Sequence, residues 1–257
     1  MKKNHFYMPY FGNKRTEVKN IVDCIPNLET YKKIIEPFCG SCSISYYIWT
    51  LYPDKEFILN DNNIYLKEMY EIVRDDDKLK EFEDYINDYV LDNVLDTKEH
   101  YAQYIKNNDV KGWFVKNKYF NIRPGLYDQT TKHRKFNMKE YPIYNFFKNG
   151  NIIFSCVDSI DCYETYKNDK LNCIIMDPPY LMCCNDFYTN KDVNIYEYLF
   201  KNNINLQNAF ICLILEEIWI IKLLFPENIY NVIKYNKLYQ TNKKKTIHII
   251  VTNDLKY

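Results

Sequence analysis

The chain has no run of eighteen uncharged apolar residues among its 257, which excludes an ordinary membrane-spanning helix. Met1-Lys2-Lys3-Asn4-His5 leads into aromatics and charges rather than the apolar centre of a signal peptide, so the expected location is the cytoplasm, of the source cell or of a host. Charge of one sign is also missing. With 34 basic and 34 acidic residues the net charge is zero, which argues neither for nor against nucleic acid, because binding depends on a local patch. Nine cysteines, an odd and irregularly placed number in a chain large enough to need no cross-links, point to reduced thiols. Internal repeats and low-complexity linkers are absent, and the chain reads as compact from end to end. None of His5, His100, His133 and His248 begins an H-x-E, so the zinc-deaminase signature is missing, and no other ligand spacing suggests a metal.

What is present fits one α/β domain, or one domain with a sizeable insertion: 47% hydrophobic residues can fill an ordinary core. The 26 tyrosines, with abundant Asn, Lys and Ile, fit an AT-rich coding sequence and carry no argument about stacking on bases. Basic clusters occur at Lys14-Arg15, at Lys132-His133-Arg134-Lys135 and at Lys243-Lys244-Lys245. Each fits a solvated loop as well as a phosphate contact. Lys132, Arg134 and Lys135 are the candidates for nucleic-acid binding.

Short β-type runs alternate with helical ones. Lys33 to Glu36 is expected as a strand followed by a helix over Ser43 to Leu51, and Phe57 to Asn60 as a second strand with a helix over Tyr65 to Arg74. From Asp75 to Gly150 the character shifts to charged helical stretches, with a hairpin expected between Tyr127 and Asn137. Strand patterns return at Ile152 to Phe154, Cys173 to Met176, Phe210 to Leu215, Ile229 to Lys234 and Thr246 to Thr252. The last two lack a helix-length spacer, so they should pair antiparallel. The expected architecture is a doubly wound α/β sheet, mostly parallel with one reversed strand at its end. It divides into a catalytic domain of residues 1–74 and 151–257 and a mainly helical insertion of 75–150.

Asp177-Pro178-Pro179-Tyr180 follows the Cys173-to-Met176 strand, at the edge where open α/β sheets bind ligands. Two prolines stiffen the loop and hold an acid and an aromatic at a set separation, although a rigid turn bearing a solvent-facing Asp has the same local pattern. Such a loop suits an aromatic amine. The lone pair of adenine N6 is delocalised into the ring and becomes nucleophilic only when acceptors localise it, and the Asp177 carboxylate and Pro178 carbonyl can take both N–H hydrogens. Tyr180 can stack on a base rotated out of a duplex, worth roughly 1–3 kcal/mol. The turn Glu36-Pro37-Phe38-Cys39-Gly40-Ser41-Cys42 is the expected donor site, with Gly40 allowing close backbone approach. Asp61, about twenty residues further on at the end of the second strand, stands where such folds set an acid against ribose hydroxyls, or merely where a helix is capped.

These residues resemble the Dam-type adenine-N6 DNA methyltransferases. The likeness lies in Tyr10-Phe11-Gly12-Asn13-Lys14, Glu36 to Gly40, Asp61-Asn62-Asn63 and Asp177 to Tyr180, with weaker echoes at Asn117 to Asn121, Phe136-Asn137 and Asn242 to Val251. About 135 residues separate the turn from the loop, so the target-recognition insertion lies between them, as in the family's alpha group. The resemblance implies S-adenosylmethionine as methyl donor, no metal, and double-stranded DNA as partner. It implies Asp177, Pro178 and Tyr180 as catalytic residues, and Tyr10, Lys14, Glu36, Phe38, Gly40, Asp61, Asp158 and Asp177 as the cofactor set. Two departures stand out. Cys42 replaces the family's second glycine, expected to weaken cofactor binding if the position needs positive φ, and Glu216-Glu217 replaces smaller polar residues. The alternatives are a non-catalytic nucleic-acid-binding relative, an RNA adenine methyltransferase, and a redox role for the C-x-x-C of Cys39 to Cys42 at a helix start.

Overall fold

The structure is a computed structural model that describes residues 6–7, 10, 12–90, 109–119, 135–180, 195–238 and 245–253. Among the described residues there are seven strands: β1 Lys33–Glu36, β2 Glu56–Asn60, β3 Asn151–Ser155, β4 Asn172–Met176, β5 Phe210–Glu216, β6 Asn231–Leu238 and β7 Lys245–Thr252. The helices are α1 Val18–Val22, α2 Ser43–Leu51, α3 Ile64–Arg74, α4 Asp76–Asp84, α5 Val110–Tyr119, α6 Ile143–Asn149, α7 Ser159–Tyr166, α8 Ile195–Lys201 and α9 Trp219–Leu224. The chain divides into two compact units, Lys14–Asn62 with Asn151–Tyr257, and Met1–Asn13 with Asn63–Gly150.

The first unit holds the sheet, in the order β3-β2-β1-β4-β5-β7-β6. Strands β1 to β5 are parallel and β7 runs antiparallel to both β5 and β6. The mostly parallel sheet with one reversed strand is as expected, with a correction to its place: the reversed strand is one in from the edge. Its composition explains why. Ile249, Ile250 and Val251 of β7 are buried, whereas β6 carries Asn231, Lys234, Asn236 and Lys237, and a polar strand tolerates the edge better. Alternation sorts the sheet's two faces. Ile35, Ile58, Ile174, Met176, Ile211, Leu213, Leu215, Ile249 and Val251 share a core with Cys162 and Tyr163 of α7, Leu199 of α8 and Ile221 of α9. Every residue of β4 is buried, so the strand carrying the Asp-Pro-Pro-Tyr loop is covered on both faces.

The second unit is helical in every described element. Its core is aromatic: Phe114 lies 4.9 Å from Phe136 and 5.1 Å edge-on from Phe82. Asn87 bonds the main chain of Phe136 in both directions, through Nδ2 to the carbonyl at 2.9 Å and Oδ1 to the amide at 2.6 Å. The expected hairpin lies outside the described residues except for 135–137, which lead into a 3-10 turn at Met138–Glu140. Among the described residues no helix is long and apolar enough to cross a membrane, and Cys24, Cys39, Cys42, Cys156, Cys162, Cys173 and Cys212 are free thiols.

Candidate active site

Strand order reverses at β1, whose neighbours are β2 on one side and β4 on the other. The carboxyl ends of β1 and β4 flank such a switch point, where a crevice opens in doubly wound sheets. Asp177 follows β4 there and is mostly buried, its side chain 17% exposed, with Oδ2 in an ion pair with Lys14. Lys14 is itself buried at 3%. Burial pushes the Asp177 carboxyl above its ordinary range and the Lys14 ammonium works against that rise. The Tyr180 hydroxyl reaches Asp177 Oδ1 at 3.3 Å, and Lys14 Nζ lies 5.2 Å from the Tyr180 ring centroid. The Tyr196 hydroxyl of α8 donates to the Pro179 carbonyl at 3.1 Å, pinning the loop from a second element.

On the β1 side, Gly40 has φ 45° and donates its N–H to Asp61 Oδ2 at 3.0 Å, which sets the acid ending β2 against the turn after β1. Cys42 also has positive φ, 51°, at the N-cap of α2. The turn therefore demands at position 42 the conformation that glycine adopts most easily. Glu36 accepts from the Ser45 amide of α2 at 2.8 Å, and burial pushes its carboxyl up to about 7. Phe38 packs on the sheet core. Asp158 accepts from the Ile160 amide at 2.7 Å as the N-cap of α7. A bare glycine with positive φ and a strand-end acid bonded to its amide fit a nucleoside-bearing group, because the main chain can approach it and a carboxylate is within reach. Tyr10 lies in the helical unit, edge-on to Phe6 at 6.0 Å. Lys132 and Arg134 lie outside the described residues, and Lys135 is exposed. Among the described residues no cluster of three or more His, Cys, Asp or Glu could hold a metal.

Burial raises the Cys39 thiol well above its usual range, the opposite of what thiol exchange needs.

Four further residues converge behind Tyr180. His248 of β7 is fully buried, with Nδ1 3.3 Å from the Tyr180 hydroxyl oxygen and its ring perpendicular to the tyrosine at 5.1 Å. Glu17, buried at 4%, lies 3.4 Å from the same nitrogen, accepts from the Tyr235 hydroxyl at 2.8 Å and pairs with Lys237 at 2.7 Å. Glu216 is the register partner of His248 across β5 and β7, so that departure from the family pattern stands beside this group. Glu17 and Tyr235 are 218 positions apart, and nothing in local spacing joins them.

Residues 10–124 match the family model for D12 class N6 adenine-specific DNA methyltransferases. The resemblance to the Dam-type family is borne out. The match supports an N6-adenine methyltransferase that uses S-adenosylmethionine. No curated protein matches the chain in sequence. Similar solved structures include a provisionally assigned RNA methyltransferase of Pyrococcus horikoshii, 11% identical at a TM-score of 0.42, covering 98% of this chain and 88% of that one. A precorrin-6y C5,15-methyltransferase of Geobacter metallireducens is 8% identical at 0.41, covering 98% of each. The N-terminal domain of human METTL16, in complex with SAH, is 9% identical at 0.38, covering 91% of this chain and 66% of that one. Such distant likenesses carry no argument about substrate. The fold stands on the strand order itself.

Proposed function

We propose that the protein transfers a methyl group from S-adenosylmethionine to the N6 amino group of adenine in double-stranded DNA, the base being rotated into the crevice between β1 and β4. The observation that carries this reading is Asp177 at the switch point, held by Lys14 beside a turn in which Gly40 and Asp61 are bonded. The main chain at Gly40, with Glu36, Phe38, Asp61, Lys14 and Asp177 around it, would hold the methyl donor; Asp158 and Tyr10 complete the proposed set. When bound, the donor supplies a methyl carbon on a positive sulfur, already a strong electrophile. The chain's own task is to raise the nucleophilicity of the amine and align it. Asp177 and the Pro178 carbonyl accept the amino hydrogens and localise the nitrogen lone pair. Tyr180, 8% exposed, offers an aromatic surface to the base. Residues 75–150 are the proposed target-recognition insertion, with Lys132, Arg134 and Lys135 on phosphates, and residues 1–74 with 151–257 the catalytic part.

The Lys14 pairing shapes the test. Asp177→Ala would leave a buried ammonium without its partner, a loss that destabilises by about 3–5 kcal/mol, so Asp177→Asn is the cleaner variant. Its amide oxygen still accepts from Lys14, while its NH2 cannot accept from the amine. Turnover should fall about a hundredfold or more, the usual cost of one positioned polar group. A folded Asp177→Asn protein that keeps more than about a tenth of wild-type turnover contradicts the assigned role.

A further inference from the structure

One set of hydrogen-bond directions satisfies the contacts of the group behind Tyr180, in which His248 Nδ1 lies 3.3 Å from the Tyr180 oxygen, 3.4 Å from Glu17 Oε2 and 3.5 Å from the Tyr235 oxygen. Tyr235 spends its hydroxyl hydrogen on Glu17 Oε2 at 2.8 Å. A carboxylate only accepts, so the imidazole nitrogen that faces Glu17 Oε2 at 3.4 Å, Nδ1, carries the hydrogen. Tyr180 has a single hydroxyl hydrogen, and Asp177 Oδ1 and His248 Nδ1 each lie 3.3 Å from its oxygen. With Nδ1 as a donor, His248 cannot accept from the phenol, which donates to Asp177 Oδ1. Burial, with the Lys237 charge, pushes the His248 ring down to about 4, so at neutral pH it bears one hydrogen and its tautomer decides the whole chain.

We propose that His248 and Glu17 are positioning residues for the Asp-Pro-Pro-Tyr loop, His248 sharing its one Nδ1–H between the Tyr180 oxygen and Glu17 Oε2 so that Tyr180 donates to Asp177 Oδ1, and Glu17 selecting that tautomer. This rests on the methyl-transfer reading of the loop. The carboxylate that must accept from the amine is then held at both oxygens, by Lys14 and by Tyr180, and its plane is set before a base arrives. Neither His248 nor Glu17 need touch the reacting atoms.

The test uses the full chain labelled with 15N-histidine, which has only four histidines to resolve. His248 is assigned by the signal that disappears in His248→Asn. The expected spectrum at neutral pH shows hydrogen on Nδ1 and none on Nε2, and Tyr180→Phe shifts the Nδ1 resonance. Hydrogen on Nε2, or a resonance indifferent to Tyr180→Phe, overturns the proposal. In methyl transfer, His248→Leu should lower kcat about three- to tenfold, the worth of one hydrogen bond, with the KM for S-adenosylmethionine unchanged. His248→Asn places an N–H near the Nδ1 position and should recover most of that loss. In a Tyr180→Phe background His248→Leu should cost nothing further, and losses that simply multiply overturn the proposal. A folded wild type that methylates neither DNA nor RNA overturns the methyl-transfer reading and this role with it, while the nitrogen spectrum still tells a right hydrogen-bond direction from a wrong one.

Discussion

Cysteine at position 42 carries a Cβ through a left-handed conformation, φ 51° and ψ 27°. The steric cost there is about 1–2 kcal/mol for a residue with a Cβ. At an ordinary helical position alanine is instead favoured over glycine by roughly 0.5–1 kcal/mol. The signs differ, so Cys42→Gly against Cys42→Ala isolates the backbone, since both remove the buried sulfur. We expect the glycine variant to be the more stable by about 1 kcal/mol in denaturant midpoints; alanine coming out ahead means that no strain is stored. Calorimetry on the same pair reads any share of that cost borne by cofactor binding. Glu36 gives a pH dependence of defined sign. Its folded value is about 7 against an ordinary 4.5, so the folded chain holds a proton that the unfolded chain has released. Stability from this group is present below about 4.5 and is lost as pH rises to about 7, a swing of roughly 3 kcal/mol. Relative to wild type, Glu36→Gln should gain stability across that window in thermal melts. Parallel curves for the two proteins contradict the assignment. At this scale Asp177, Gly40 and Asp61 were legible because each ends a strand or opens a turn with a recognisable pattern. Glu17, Tyr235, Lys237 and His248 were not, because only the fold brings together an amino-terminal acid and two late strands.

Asn60 at the end of β2 ties three strand ends together. Its Nδ2 donates to the carbonyls of Pro37 and Val157, both at 3.1 Å, and its Oδ1 accepts from the Ser155 hydroxyl at 2.8 Å and the Val157 amide at 3.0 Å. The side chain is fully buried. Asn60→Ala leaves several main-chain groups without partners and should cost at least about 2 kcal/mol, seen as a fall of several degrees in Tm and faster hydrogen exchange at Val157. A Tm within about one degree of wild type means that water replaces the amide. Strands β1, β2, β4 and β5 were read nearly to the residue, since apolar runs bounded by turn residues leave little freedom. The place of β7 was not, because pairing in a hairpin says that β6 and β7 touch and is silent on which of them meets β5. Burial of Ile249, Ile250 and Val251 decides that, and it is a property of the assembled sheet.

A chain of zero net charge has no long-range attraction to DNA, so any affinity must come from local patches. Lys132, Arg134 and Lys135 changed together to alanine should weaken binding and reduce the slope of log affinity against log salt by up to about three, near 0.9 for each phosphate no longer neutralised. Equal slopes for the two proteins would return this cluster to a solvated loop. The helical unit takes in residues 1–13 and 63–74 as well as 75–150, a grouping that the change of composition at Asp75 does not show, and the bases that an insertion reads depend on side-chain placement in a groove. The central claim is the chemistry at Asp177. It is tested most directly by incubating unmethylated DNA and RNA with the full chain and methyl-labelled S-adenosylmethionine, digesting both to nucleosides and identifying the labelled species by mass spectrometry. The account predicts label in N6-methyldeoxyadenosine from DNA, reduced about a hundredfold or more by Asp177→Asn. Label confined to RNA, to another nucleoside, or undiminished in Asp177→Asn would contradict it.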